Sequence, residues 1–120
     1  MRIVLGDAKA AAIGVASGII LKKANLDESA MNIIARGMTV KQLILWIEGE
    51  NADASIVWRA DAVQSGRLRI IEIPDKWKDE YIIPVCQMMN EMGAGSDYID
   101  FCLNEGKAIF AKHGFNVVRK

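Results

Sequence analysis

The groups best placed to do chemistry in this chain are backbone amides rather than side chains. Three segments, residues 6–14, 36–40 and 58–61, each follow a short apolar run and lead into a helix-like stretch or a turn. Right-handed βαβ connections would bring such loops to one edge of a sheet, and ligands bind just outside the carboxyl ends of the strands. Helix N-termini at that edge present N–H groups without intrahelical acceptors and a partial positive charge. An oxyanion can be held there without arginine or lysine. The stretch from Gly49-Glu50-Asn51 through Ile56-Val57-Trp58 to Asp61-Ala62 is the most explicit of the three. It reads as a helix end, a tight turn, a buried strand and a polar exit, with Trp58 where a ligand could sit.

Side-chain catalysis finds no such pattern, and no enzyme is expected. The chain has no serine elbow, no phosphate loop and no Cys/His pair at readable spacing. Asp53 and Asp61 flank one strand that holds them apart, and Glu48 and Glu50 read as solvated groups at a helix end. His113, the only histidine, precedes Gly114 and suits a helix C-terminus. Cys86 and Cys102 form no CxxC pair and read as buried free thiols; neither zinc nor another cofactor is expected. Gly93-Ala94-Gly95 lacks the third glycine of a dinucleotide fingerprint and reads as a flexible joint.

Fifteen basic residues balance fifteen acidic ones, so the electrostatic footprint of a nucleic-acid partner is missing. The 120 residues suffice for one domain with a core, and the apolar runs fall short of a membrane span. Met1-Arg2-Ile3-Val4-Leu5 reads as the start of a strand, with no signal peptide legible. That leaves an intracellular chain or a piece of a longer secreted precursor.

The elements that must position the loops alternate. Strands are expected at residues 2–6, 32–35, 54–58, 68–73 and 82–88, with 54–58 central because it is apolar on both faces. Helices are expected at 10–24, 39–48 and 97–112. In the second, Val40, Leu43, Ile44 and Ile47 form one buried face, and Thr39 with Gln42 fits a capping box. In the third, Ser96 is the expected N-cap, Gly114 the stop, and Tyr98, Phe101, Cys102 and Ile109 the buried side. Residues 115–118 would add an edge strand or trail. The alternation predicts an α/β fold, a mixed, mostly parallel sheet flanked by helices.

Leu5-Gly6-Asp7 followed by Ile13-Gly14, then Thr39-Val40-Lys41-Gln42, Ile71-Glu72-Ile73-Pro74, the 49–62 stretch and the closing Glu105-Gly106-Lys107 to Phe115 carry a resemblance. In these phrases and their order the chain resembles the periplasmic molybdate- and tungstate-binding proteins of ABC transporters. The likeness runs over nearly the whole chain but only the second half of a usual member. It implies one lobe of a type II periplasmic-binding-protein-like fold, with residues 1–92 as the lobe and 93–120 as a helix and tail packed on a first lobe. It further implies an anion, molybdate or tungstate, held by the main-chain N–H groups of Ile13 and Val40. A tyrosine hydroxyl is expected where this chain has Trp58, which offers only its indole N–H. Ile13 is bulkier than the small residue expected there and crowds the pocket.

The implied partner is an ABC permease and the implied location extracytoplasmic. The hydroxyl-bearing side chains of the first lobe have no counterpart in these residues, so weak binding is expected, without hinge closure within the chain. A homodimer, through the last helix, is also expected. Two other roles stay open: an intracellular anion-sensing domain of the same fold, or a dimerising structural lobe that no longer binds a ligand.

Overall fold

Ile3, Val4 and Leu5 are apolar on consecutive positions, the pattern of a strand covered on both faces. They form β1 (Ile3–Gly6), buried along its whole length. The structure is a computed structural model that describes residues 1–81 and 94–116. It divides into two compact units, Met1–Asp79 and Glu80–Lys120.

In the first unit β1 lies between β2 (Ile33–Gly37) and β3 (Ala54–Ser55), and both neighbours run parallel to it. Gly6 stands opposite Gly37, and Val4 opposite Ser55. Helix α1 (Ala12–Lys23) follows β1, α2 (Val40–Glu48) follows β2, and α3 (Arg59–Ser65) follows β3. The α/β architecture with a parallel sheet flanked by helices is as expected. One core cluster joins Val4, Ala11, Ile13, Leu43 and Ala52, and a second joins Ile3, Leu5 and Leu21. Burying a side chain the size of Leu43 contributes about 1.5–3 kcal/mol.

Helix α2 follows its apolar stripe. Leu43 and Ile44 are buried, Val40 and Ile47 are half-buried, and Lys41 and Gln42 face solvent. Thr39 caps it, its hydroxyl accepting from the Gln42 N–H at 3.2 Å. The return bond of the expected capping box is displaced by one residue: Gln42 Oε1 accepts from the Met38 N–H at 3.0 Å.

Helices α1 and α2 end alike. Leu26 N–H donates to the Leu21 carbonyl and Asn25 N–H to that of Lys22; Asn51 and Glu50 do the same to Trp46 and Ile47. This is the Schellman stop. It puts Asn25 and Glu50 in the left-handed region at φ 56° and 59°, a place that favours glycine.

Two strand expectations need correction. The 54–58 run is a two-residue strand at one side of β1, which is itself central among the described residues. Ile56, Val57 and Trp58 continue into the core cluster without ladder bonds. What brings β3 alongside is polar: Arg2 N–H and guanidinium both bond the Asp53 carboxylate, at 2.6 and 2.8 Å. The alternating 68–73 run forms no strand, and Ile71 is 77% exposed. Alternation marks a strand only where a partner edge exists to satisfy its backbone. The expected strand 82–88 lies outside the described residues.

The second unit contains α4 (Ala94–Leu103) and α5 (Gly106–Lys112) in place of one helix. Asn104 causes the interruption. Its N–H is shared between the Asp100 and Phe101 carbonyls, and its side-chain amide also donates to Asp100, at 2.8 Å, the side-chain competition typical of asparagine. Ala94 and Gly95 are the first residues of α4 rather than a joint, and Ser96 lies inside it. Cys102 is free and buried, but Tyr98, Phe101 and Ile109 are exposed. Cys86 is outside the described residues. His113 caps α5 as expected: its Nδ1–H donates to the Ile109 carbonyl at 2.8 Å, and Gly114 follows at φ 93°.

Candidate functional site

Because β1, β2 and β3 are parallel, the three loops that follow them emerge at one edge of the sheet. The sequence places chemistry there, and the local geometry explains why the loops take their shapes.

The first loop is closed by two glycines. A Cβ on Gly6 would fall 2.6 Å from the Gly14 nitrogen, and one on Gly14 would fall 2.0 Å from the Asp7 carbonyl oxygen. Only bare backbone lets the end of β1 touch the first turn of α1 this closely. Asp7 then arranges the rest. Its carboxylate Oδ1 accepts from the Lys9 and Ala10 N–H groups at 2.9 and 2.8 Å. Its carbonyl accepts from Ala11 N–H at 3.1 Å, and its own N–H donates to Gly37 at 2.8 Å. The bonds from Ala10 and Lys9 hold its carboxyl below the ordinary carboxylate range, with the Arg36 charge adding to the effect. Arg36 itself donates to the Gly6 carbonyl at 3.3 Å and pairs with Glu28.

Helix α1 has no side-chain cap. The amides of Ala12 and Ile13 therefore have no acceptor within the helix. In the second loop Gly37 is buried under Leu43, and the first-turn amides of α2 are those of Val40 and Lys41. In the third, Trp58 is the N-cap residue of α3, whose start has no side-chain cap.

The three residues singled out from the sequence come together: Val40 and Trp58 pack against the cluster that contains buried Ile13. The Ile13 side chain, 3% exposed, fills the core, so its bulk is spent there rather than on the rim. Asp53 and Asp61 do not meet as a pair; Asp53 is bound to Arg2. Glu48 is not simply solvated, since its carboxylate accepts from the Ser65 hydroxyl.

Sequence reasoning names Asp7 only within the Leu5-Gly6-Asp7 phrase and Arg36 only as the start of the 36–40 segment, with no role given to either side chain. An aspartate directly after a strand-ending glycine was the available signal. Two broad depressions of about 460 and 350 Å³ lie elsewhere, one lined by Leu21, Asn25 and Glu28, the other by Ile34, Trp46 and Asn51. Neither is lined by Ile13, Val40 or Trp58. Among the described residues no group of three or more His, Cys, Asp or Glu could hold a metal ion, and no helix is long and apolar enough to cross a membrane.

A family model for bacterial extracellular solute-binding proteins matches residues 1–116. The chain belongs to that family, whose members bind solutes and are not enzymes. Among solved structures, it is similar to the substrate binding domain assigned to a molybdenum ABC transporter from Clostridium difficile. The TM-score is 0.76 and the identity 22%, over 98% of this chain and 53% of that one. The chain thus spans about half the length of that structure, and the likeness fixes the fold as a lobe of the periplasmic-binding-protein type. No curated protein matches it.

Proposed function

We propose that the loop edge of the first unit is one wall of an oxyanion site of the molybdate and tungstate class, serving an ABC permease outside the cytoplasm. The single observation that carries this reading is that Ile13, Val40 and Trp58, each placed after one of three parallel strands, share one core cluster.

The chemistry follows from the amides. The N–H groups of Ile13 and Val40 belong to the first turns of α1 and α2, where the helix dipole is positive and intrahelical acceptors are lacking. A dianion satisfies both donors at once, and no basic side chain is required. The indole N–H of Trp58 is the side-chain donor from the third loop. Residues 1–92 act as one lobe, and the other wall comes from a second lobe on which 93–120 packs. The exposure of Tyr98, Phe101 and Ile109 in the second unit supports its seating on such a surface or on a second copy of the chain.

Thermal melting with added anion tests the reading. Stabilisation grows as RT ln(1 + [L]/Kd), about 2.7 kcal/mol at a hundredfold excess over Kd. Molybdate or tungstate should raise the melting temperature, and sulfate should raise it less. A flat response up to millimolar molybdate would leave the lobe with a structural role.

A further inference from the structure

Resting on that reading of the rim, we propose that Asp7 is its positioning residue: it locks the loop after β1 to the end of β2 and so sets the spacing of the Ile13 and Val40 amides. A two-donor cradle works only while its donors stay at a fixed separation, and a shift of about 1 Å is enough to spoil it.

The two donors sit in the first turns of different helices, and Asp7 is bonded to the segments that lead into both. Its N–H is bonded to Gly37, which leads into α2, at 2.8 Å. Its carbonyl receives the Ala11 N–H at 3.1 Å and lies directly beneath Gly14, in the first turn of α1. Its carboxylate gathers the intervening Lys9 and Ala10 amides onto one oxygen. One residue therefore ties strand end, loop, helix start and the end of the neighbouring strand together.

The role depends on where Oδ1 stands, not on the negative charge. A free carboxylate beside a bound dianion would repel it; here Oδ1 is engaged by two amides, with the Arg36 guanidinium bonded nearby to the Gly6 carbonyl. Position and charge separate in two substitutions. Asp7→Asn keeps the oxygen and discards the charge. Asp7→Glu keeps the charge and moves the oxygen by one methylene.

The test compares these variants in the full chain by calorimetric titration with sodium molybdate and by amide hydrogen exchange of the ligand-free protein. Asp7→Asn is expected to bind within about threefold of the parent, or tighter, whereas Asp7→Glu weakens binding by about tenfold or more. In the free protein Asp7→Glu speeds exchange at residues 7 and 11 as well as at 9 and 10, and Asp7→Asn leaves all four protected. The proposal is overturned if Asp7→Glu matches the parent in both measurements, or if Asp7→Asn loses as much as Asp7→Glu. A parent chain that takes up no molybdate sinks the oxyanion reading alone, because the exchange pattern at residues 7 and 11 still decides whether Asp7 locks the loops.

Discussion

Gly6 and Gly14 meet backbone to backbone, so closely that a β-carbon on the first would sit 2.6 Å from the nitrogen of the second. The same first turn of α1 presses on the Asp7 carbonyl, 2.0 Å from where a Gly14 β-carbon would stand. Gly18, one turn further along α1, has nothing within 4 Å of its own virtual Cβ. The two helical glycines should therefore respond in opposite directions. Gly14→Ala is expected to destabilise the chain by at least about 1–3 kcal/mol through overpacking against backbone. Gly18→Ala is expected to stabilise it by about 0.5–1 kcal/mol through helix propensity and a less flexible unfolded chain. Urea unfolding of the pair decides the point; equal effects would mean that the contact at Gly14 relaxes freely.

Glu50 holds a left-handed conformation at the stop of α2, where glycine bears no steric cost. Glu50→Gly should raise stability by about 0.5–1 kcal/mol. Asn25 occupies the same place after α1, and asparagine tolerates it better, so Asn25→Gly should gain less. Thermal melting of both variants ranks them, and a loss of stability in Glu50→Gly would show that the Glu50 side chain contributes more than its backbone strains.

The Thr39 hydroxyl satisfies one orphan amide at the start of α2. Thr39→Ala should cost about 1 kcal/mol, while Thr39→Ser should recover most of that. Because the hydroxyl serves the Gln42 amide and not that of Val40, molybdate affinity should fall less than for Asp7→Glu. Chemical denaturation and calorimetry on the same samples separate stability from binding.

Asp53 is the group that ties folding to acid. The side-chain hydrogen bond from Arg2, backed by that from the Arg2 N–H, holds its carboxyl at about 2, below its ordinary 3.8. A folded-state pKa lowered in this way contributes stability that is fully present above the unfolded value and is lost as pH falls through the folded one. The parent should melt above Asp53→Asn at neutral pH. That difference should shrink between about pH 4 and pH 2 and be gone below it. Melting curves across this range test it; a gap that persists unchanged at the acid end would place the stabilisation in something other than the Arg2 pair.

Much of the framework was legible from local pattern. The 3.6-residue stripe of Val40, Leu43, Ile44 and Ile47 marked α2, Thr39 marked its start, and the 6–14 segment was legible as a loop between a strand and a helix. Those features are fixed by neighbours a few residues away. The strand expected at 68–73 failed because a strand is defined by what lies beside it, and alternation says nothing about that. Residues 54–58 are apolar for the sake of the core cluster, and only Ala54 and Ser55 pair with β1. The single terminal helix failed at Asn104, where one side chain competes for a carbonyl against the helical pattern around it. Ile13, Val40 and Trp58 were singled out through family likeness, whereas the bonds made by Asp7 become visible only when Gly37 is seen beside it.

The opposed ends of α1 and α2 divide the labour of the first unit. Their starts face the loop edge, while Asn25 and Glu50 close them at the far side with the same pair of crossed bonds. Sturdiness can therefore be adjusted at one pole without disturbing recognition at the other. If the proposed rim holds an anion, a version hardened at positions 25 and 50 should hold it equally well, which makes this lobe a convenient chassis on which to rebuild the rim for other guests.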